Sequence, residues 1–178
     1  SGLGAGQRVE WLVDCYRLRV DDDYCWGGGN LHGLYDPRAT KLTVAQDFLI
    51  FCKLAHERGA LPTPWDWKCF LEKALELVPY AFEKSDAQDK YGSENVFAAM
   101  TGGRSLRFTG EVVYGSGCCG EQGDDHSRIE KEVIRLFKGR EADAFQGAAA
   151  GVFADVGGAA LWKTFYTRLR LPGPFPYP

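Results

Sequence analysis

Thr43 to Gly59 reads TVAQDFLIFCKLAHERG. Val44, Phe48, Phe51, Cys52 and Ala55 recur at helical spacing, and Leu49, Ile50 and Leu54 widen the stripe. A helix apolar over so much of its surface belongs in the centre of a core. Thr43 is placed to cap its start and Gly59 to end it. This one segment argues for a helical protein, and the flanking stretches repeat the pattern.

Upstream, Gln7 to Val20 places Val9, Leu12, Tyr16 and Val20 on one face, with Cys15 beside them. Asp21, Asp22 and Asp23 then form an acidic end. Gly27, Gly28 and Gly29 open a loop that runs past Pro37 and positions Tyr35. Downstream, "LPTPWDWKCFLEKALELVP" predicts a third helix, with Thr63 as cap, Pro64 in the first turn, and Trp67, Phe70, Leu71, Ala74 and Leu75 facing inward. A capped stretch starts near Ser85 and breaks at Gly92. "SENVFAAMTG" and "RSLRFTGEVVYG" suggest two short helices hinged at Gly102 and Gly103. Arg104 and Arg107 stand at i and i+3, which makes one side basic.

Residues 116–125, rich in glycine and acid, read as a flexible linker. Ile129, Val133, Leu136 and Phe137 mark an amphipathic helix after it, with an Arg128–Glu132 pair at i,i+4. The alanine- and glycine-rich stretch to Leu171 supplies one or two more helices. The end, "LPGPFPYP", is proline-rich and extended. The expected organisation is therefore a helical domain over 1–115, a linker over 116–125, a helical extension over 126–170 and a tail over 171–178. The expected fold is all-α, an irregular bundle of about six to eight helices with glycine-rich loops.

The chain has 178 residues, five tryptophans and a formal net charge of -3. A chain of this length buries about 70% of its unfolded surface and needs no staples. Its charge is no footprint for nucleic acid. It has no run of 18 apolar residues, and no membrane span is expected. Ser1 to Gln7 has neither region of a signal peptide. Cys15, Cys52 and Cys69 lie among apolar residues and read as buried small hydrophobes. That usage suits an intracellular setting.

Chemistry-bearing patterns are weak. An EF-hand counted from Asp21 puts Cys25 at position five, Trp26 at six and His32 at twelve, so it fails. The triple glycine follows a helix, where a phosphate loop follows a strand. Cys118 and Cys119 are adjacent with His126 seven residues on, which lacks the paired spacing of a zinc site. No nucleophile elbow is present. We therefore expect no catalytic residue, metal or cofactor.

The stretch "VDCYRLRVDDDYCWGGGNLHGLYD" resembles a segment of fungal proteins that carry an N-terminal MYND-type zinc finger. Their D-x-Y-R-L-R-V-[ED]-[DE]-x-Y motif falls on Asp14, Tyr16, Arg17, Leu18, Arg19, Val20, Asp21, Asp22 and Tyr24, and the G-[LI]-Y element on Gly33, Leu34 and Tyr35. "DFLIFCKLAHERGALPTPW" and "YGSENVFAAMTGGRSLRFTGEVVYG" are similar to two further segments of that family, in the same order. The resemblance covers about Val9 to Gly115. It implies a helical region without catalytic residues in a regulatory or adaptor protein. MYND fingers bind proline-containing peptides, a property of the finger and not of these residues. Tyr16, Arg17, Arg19, Asp21, Gly28 and Tyr35 are expected to form a structural motif. Trp65, Arg104, Arg107, Phe175 and Tyr177 are expected partner contacts, the partner being another protein or a second copy. The alternative is a small-molecule enzyme or ligand-binding domain with a cleft near Arg17, Arg19 and His56.

Overall fold

The computed structural model describes residues 4–93, 105–139, 141 and 143–173. These residues form an all-helical bundle, and no strand occurs among them. The α-helices are α1 (Ala5–Trp26), α2 (Lys41–Glu57), α3 (Trp67–Leu77), α4 (Lys84–Tyr91), α5 (Leu106–Tyr114), α6 (Asp124–Phe137) and α7 (Ala159–Arg168). Two 3₁₀ segments, Gly33–Tyr35 and Gly147–Val156, join them. No described helix is long and apolar enough to cross a membrane.

Two long helices organise the bundle. α1 packs on α3, α4 and α5, while α2 packs on α5, α6 and α7. Phe48 of α2 sits at the meeting point, fully buried. Its ring lies 5.0 Å from Tyr16, 5.6 Å from Phe70, 6.1 Å from Trp162 and 5.6 Å from Phe165. The helices after residue 125 therefore share one core with those before it. Residues 116–119, in the segment marked as a linker, contact α1 through Arg19 and Trp26.

The central stripe of α2 is buried as its spacing predicts, from Val44 to Ala55. Its C-terminus closes on Gly59 at φ 63°, with Ala60 N–H donating to Ala55 O at 2.9 Å. Several boundaries differ from the sequence reading. α1 runs to Trp26, so the three aspartates lie inside the helix and are buried. They stay helical because each side chain finds a partner, which removes the usual penalty. The cap of α2 is Thr40, whose hydroxyl accepts from Thr43 N–H at 3.2 Å, so Thr43 is its third residue. Asp66, not Thr63, caps α3, accepting from Cys69 N–H at 3.1 Å. α4 begins after Glu83, not Ser85.

Cys69 is exposed, contrary to its apolar context, because α3 turns that face outward. Leu75 and Trp67 are only partly buried. Arg128 pairs with Glu57 of α2 at 2.7 Å rather than with Glu132, tying α6 to α2. The expected hinge at Gly102 and Gly103 and the Pro-rich end from residue 174 lie outside the described residues, as do Arg104, Phe175 and Tyr177.

Candidate functional site

The second half of α1 carries six buried charged residues: Asp14, Arg17, Arg19, Asp21, Asp22 and Asp23. A helix buried on most sides must bury some polar positions, and those groups then need partners. Arg17 donates to Asp14 at 2.6 Å and to the carbonyls of Tyr80 and Ala81 at 3.1 and 2.9 Å. Its guanidinium also lies 4.5 Å over the Phe82 ring. Asp14 takes two further bonds at 2.7 Å, from Lys90 and from the Tyr91 hydroxyl. This half of the motif binds α1 to α4 and to the segment before it.

The other half faces α5 and the glycine loop. Asp21 accepts from the Tyr35 hydroxyl at 2.8 Å. Burial raises its pKa above the ordinary carboxylate value, and that bond offsets part of the rise. Asp22 holds Arg107 by two bonds of 2.8 and 2.6 Å. Arg19 donates to Asp23 at 2.8 Å and to the carbonyls of Ser116 and Gly117 at 2.7 and 3.1 Å. The fork geometry of arginine suits both clusters, because one side chain meets three acceptors.

His32 completes the network. One ring nitrogen lies 2.8 Å from Asp23 and the other 2.9 Å from Asp47. Asp47 also accepts from the Tyr16 hydroxyl at 2.7 Å. With carboxylates on both sides, both ring nitrogens must donate, so the ring is an imidazolium. Burial works against that charge, but Asp47 and Asp23 outweigh it and push the pKa up to about 10. Burial likewise opposes the charge on Asp47, yet His32 and Tyr16 hold its carboxyl below the usual range. The result is a relay of Arg19, Asp23, His32, Asp47 and Tyr16 that joins α1, the loop and α2. Tyr114 borders it, 4.6 Å under the Arg19 guanidinium, and its buried hydroxyl has no hydrogen-bond partner among the described residues.

A cleft of about 270 Å³ opens between α1 and α5. Its lining includes the buried Leu18, Leu106 and Gly110, the Asp22–Arg107 pair and Cys118, and the exposed Trp26 and Glu111 mark its mouth. Trp26 is 65% exposed, the most exposed of the large apolar side chains described. Near Tyr16 and Arg17 the available space is about 10 Å³, no more than one water occupies.

The expected site residues separate accordingly. Tyr16, Arg17, Arg19 and Asp21 lie on α1 with their polar groups paired, and Tyr35 donates to Asp21. Gly28 is exposed at φ 67° in the turn beyond α1. His56 is exposed on the last turn of α2 and lines neither cleft. The histidine that belongs to the α1 network is His32. The sequence reading missed it because a loop residue carries no periodicity, although it follows three glycines beside an acidic run. Asp47 was missed too, as one of several polar positions on a mainly apolar helix. Trp65 is half-buried, 5.0 Å from Phe70, and Arg107 is held by Asp22.

Both nitrogens of His32 are committed, and burial raises the Cys15 and Cys52 thiols far above their ordinary pKa. Among the described residues no three His, Cys, Asp or Glu side chains converge on a metal-sized point. Comparison with protein-family models, characterised proteins and solved structures finds no match for the chain.

Proposed function

We propose that the chain is a non-enzymatic protein–protein interaction domain of an adaptor or regulatory protein. The observation that carries the reading is Trp26, exposed at the mouth of a cleft whose arginines are already paired within the protein. Aromatic side chains at a groove supply contact area at low entropic cost. Phe108 and Val112, exposed on α5, add apolar surface. The resemblance of residues 9–115 to the helical region of fungal MYND-type proteins supports a fungal, intracellular setting. The partner is another protein or a second copy, and Arg104, Phe175 and Tyr177 remain contacts proposed from sequence. Affinity capture with the tagged chain, read by mass spectrometry, tests the proposal. A stoichiometric partner lost with Trp26→Ala supports it. A monodisperse protein that captures no partner sinks it.

The cleft itself favours a second reading, a small-molecule ligand, since its volume approaches the lower end of ligand pockets at about 300 Å³. A thermal-shift screen that raises the melting temperature, with the gain lost in Glu111→Gln, separates this reading from the first.

A further inference from the structure

Beside the cleft, a turn holds two thiols together. Gly120 N–H donates to Gly117 O at 3.0 Å, which makes Cys118 and Cys119 the central residues of a β-turn. Their Sγ atoms stand 3.8 Å apart. Several restraints fix this turn. Arg19 grips the carbonyls of Ser116 and Gly117 at 2.7 and 3.1 Å. The Cys119 thiol donates to Trp26 O at 3.2 Å. A Cβ on Gly27 would lie 2.9 Å from the Cys118 carbonyl, so the turn sits directly against the end of α1. A Cβ on Gly120 would meet Ser116 Cβ at 2.8 Å, so only glycine lets the turn close this tightly. Cys118 lines the cleft and Cys119 is exposed, so the pair is open to solvent.

The separation is that of a thiol–thiol hydrogen bond, and it also fits a chelating pair. Two thiolates on one tetrahedral ion, with metal–sulfur bonds of about 2.3 Å, stand about 3.8 Å apart. We propose that Cys118 and Cys119 form a two-thiolate clamp for a thiophilic divalent cation of the zinc class. Thiolate pairs select such ions over oxygen-seeking ones. Each thiol gives its proton to solvent as the ion enters, so one cation replaces two protons and no electron moves. Because the described residues bring no third ligand, solvent fills the remaining positions and the ion exchanges freely.

Cadmium is the probe. Titrating Cd²⁺ into the full chain is expected to raise a thiolate-to-metal charge-transfer absorbance that saturates at one ion per chain. Cys118→Ser and Cys119→Ser each abolish it, Cys69→Ser on exposed α3 leaves it intact, and Zn²⁺ competes it away. Phenylarsine oxide gives an independent readout, since it condenses with two thiols and releases water. The adduct is expected to resist excess mercaptoethanol and to be released by dithiothreitol. Circular dichroism establishes that each variant keeps its helices. If Cys118→Ser disturbs them, the exposed Cys119→Ser carries the test. No charge-transfer band, or a band that survives both serine variants, overturns the proposal.

Discussion

His32 shows how one side chain sets a pH profile. Its pKa is raised to about 10 in the folded protein, against about 6.5 in an unfolded chain. The folded state therefore holds a proton that the unfolded state releases between these values. Its contribution is fully present below pH ~6.5 and is lost as the pH rises through ~10. Asp47 has the opposite sign: its lowered pKa contributes above the ordinary carboxylate range and is lost as the pH falls through the folded value. The urea midpoint is expected to decline steadily from neutral pH to pH ~10, and His32→Gln to flatten that decline. An unchanged slope in the variant rejects the assignment. Replacing His32 also leaves Asp23 and Asp47 facing each other's charge without a cation between them, at a cost of about 3 kcal/mol at neutral pH.

Among the elements, two glycines make opposite predictions. Gly110 lies within α5, and a Cβ there would stand 3.9 Å from Arg19 Cβ and from the Cys15 carbonyl, an ordinary contact. Gly110→Ala is expected to stabilise by about 0.5–1 kcal/mol, through the lower backbone entropy of alanine in a helix. Gly33 starts its 3₁₀ turn at φ 57°, and a Cβ would meet the Tyr16 hydroxyl at 2.8 Å and Asp47 Oδ2 at 2.9 Å. Gly33→Ala is expected to destabilise by about 2 kcal/mol or more, since backbone strain and a disrupted hydrogen bond coincide. Denaturant titration of both variants checks the pair of signs. The same contrast explains what was legible in the sequence. α2 could be read because Val44 to Ala55 repeat with the helical period. The end of α1 could not, because three adjacent aspartates look like a solvated terminus until Tyr35, Arg107, Arg19 and His32 are known to receive them. The place of His32 in the network went unread for the same reason: partners distant in sequence leave no local mark.

At the scale of the molecule, Phe48 joins aromatic residues from α1, α3 and α7. Lys53, nearly buried, donates to Val152 O at 2.7 Å and to Asp155 at 2.9 Å, which fastens the second 3₁₀ segment to the same helix. Truncation after Asp125 would uncover Phe48 and leave the Lys53 charge without its main partners. The truncated chain is expected to lose cooperative unfolding, with near-ultraviolet and far-ultraviolet circular dichroism no longer coincident. A sharp single transition in that fragment rejects a shared core. The ion pairs fall into two populations with different exposure. Those of Asp14, Asp22 and Asp23 lie on a buried helix, whereas Arg128–Glu57, Arg58–Asp125 and Lys73–Glu76 lie on the rim. Dissolved salt screens the second group and hardly reaches the first. Rising ionic strength therefore loosens the seam between α2 and α6 while the centre of the bundle keeps its charge pairs, so salt and pH address different parts of one protein.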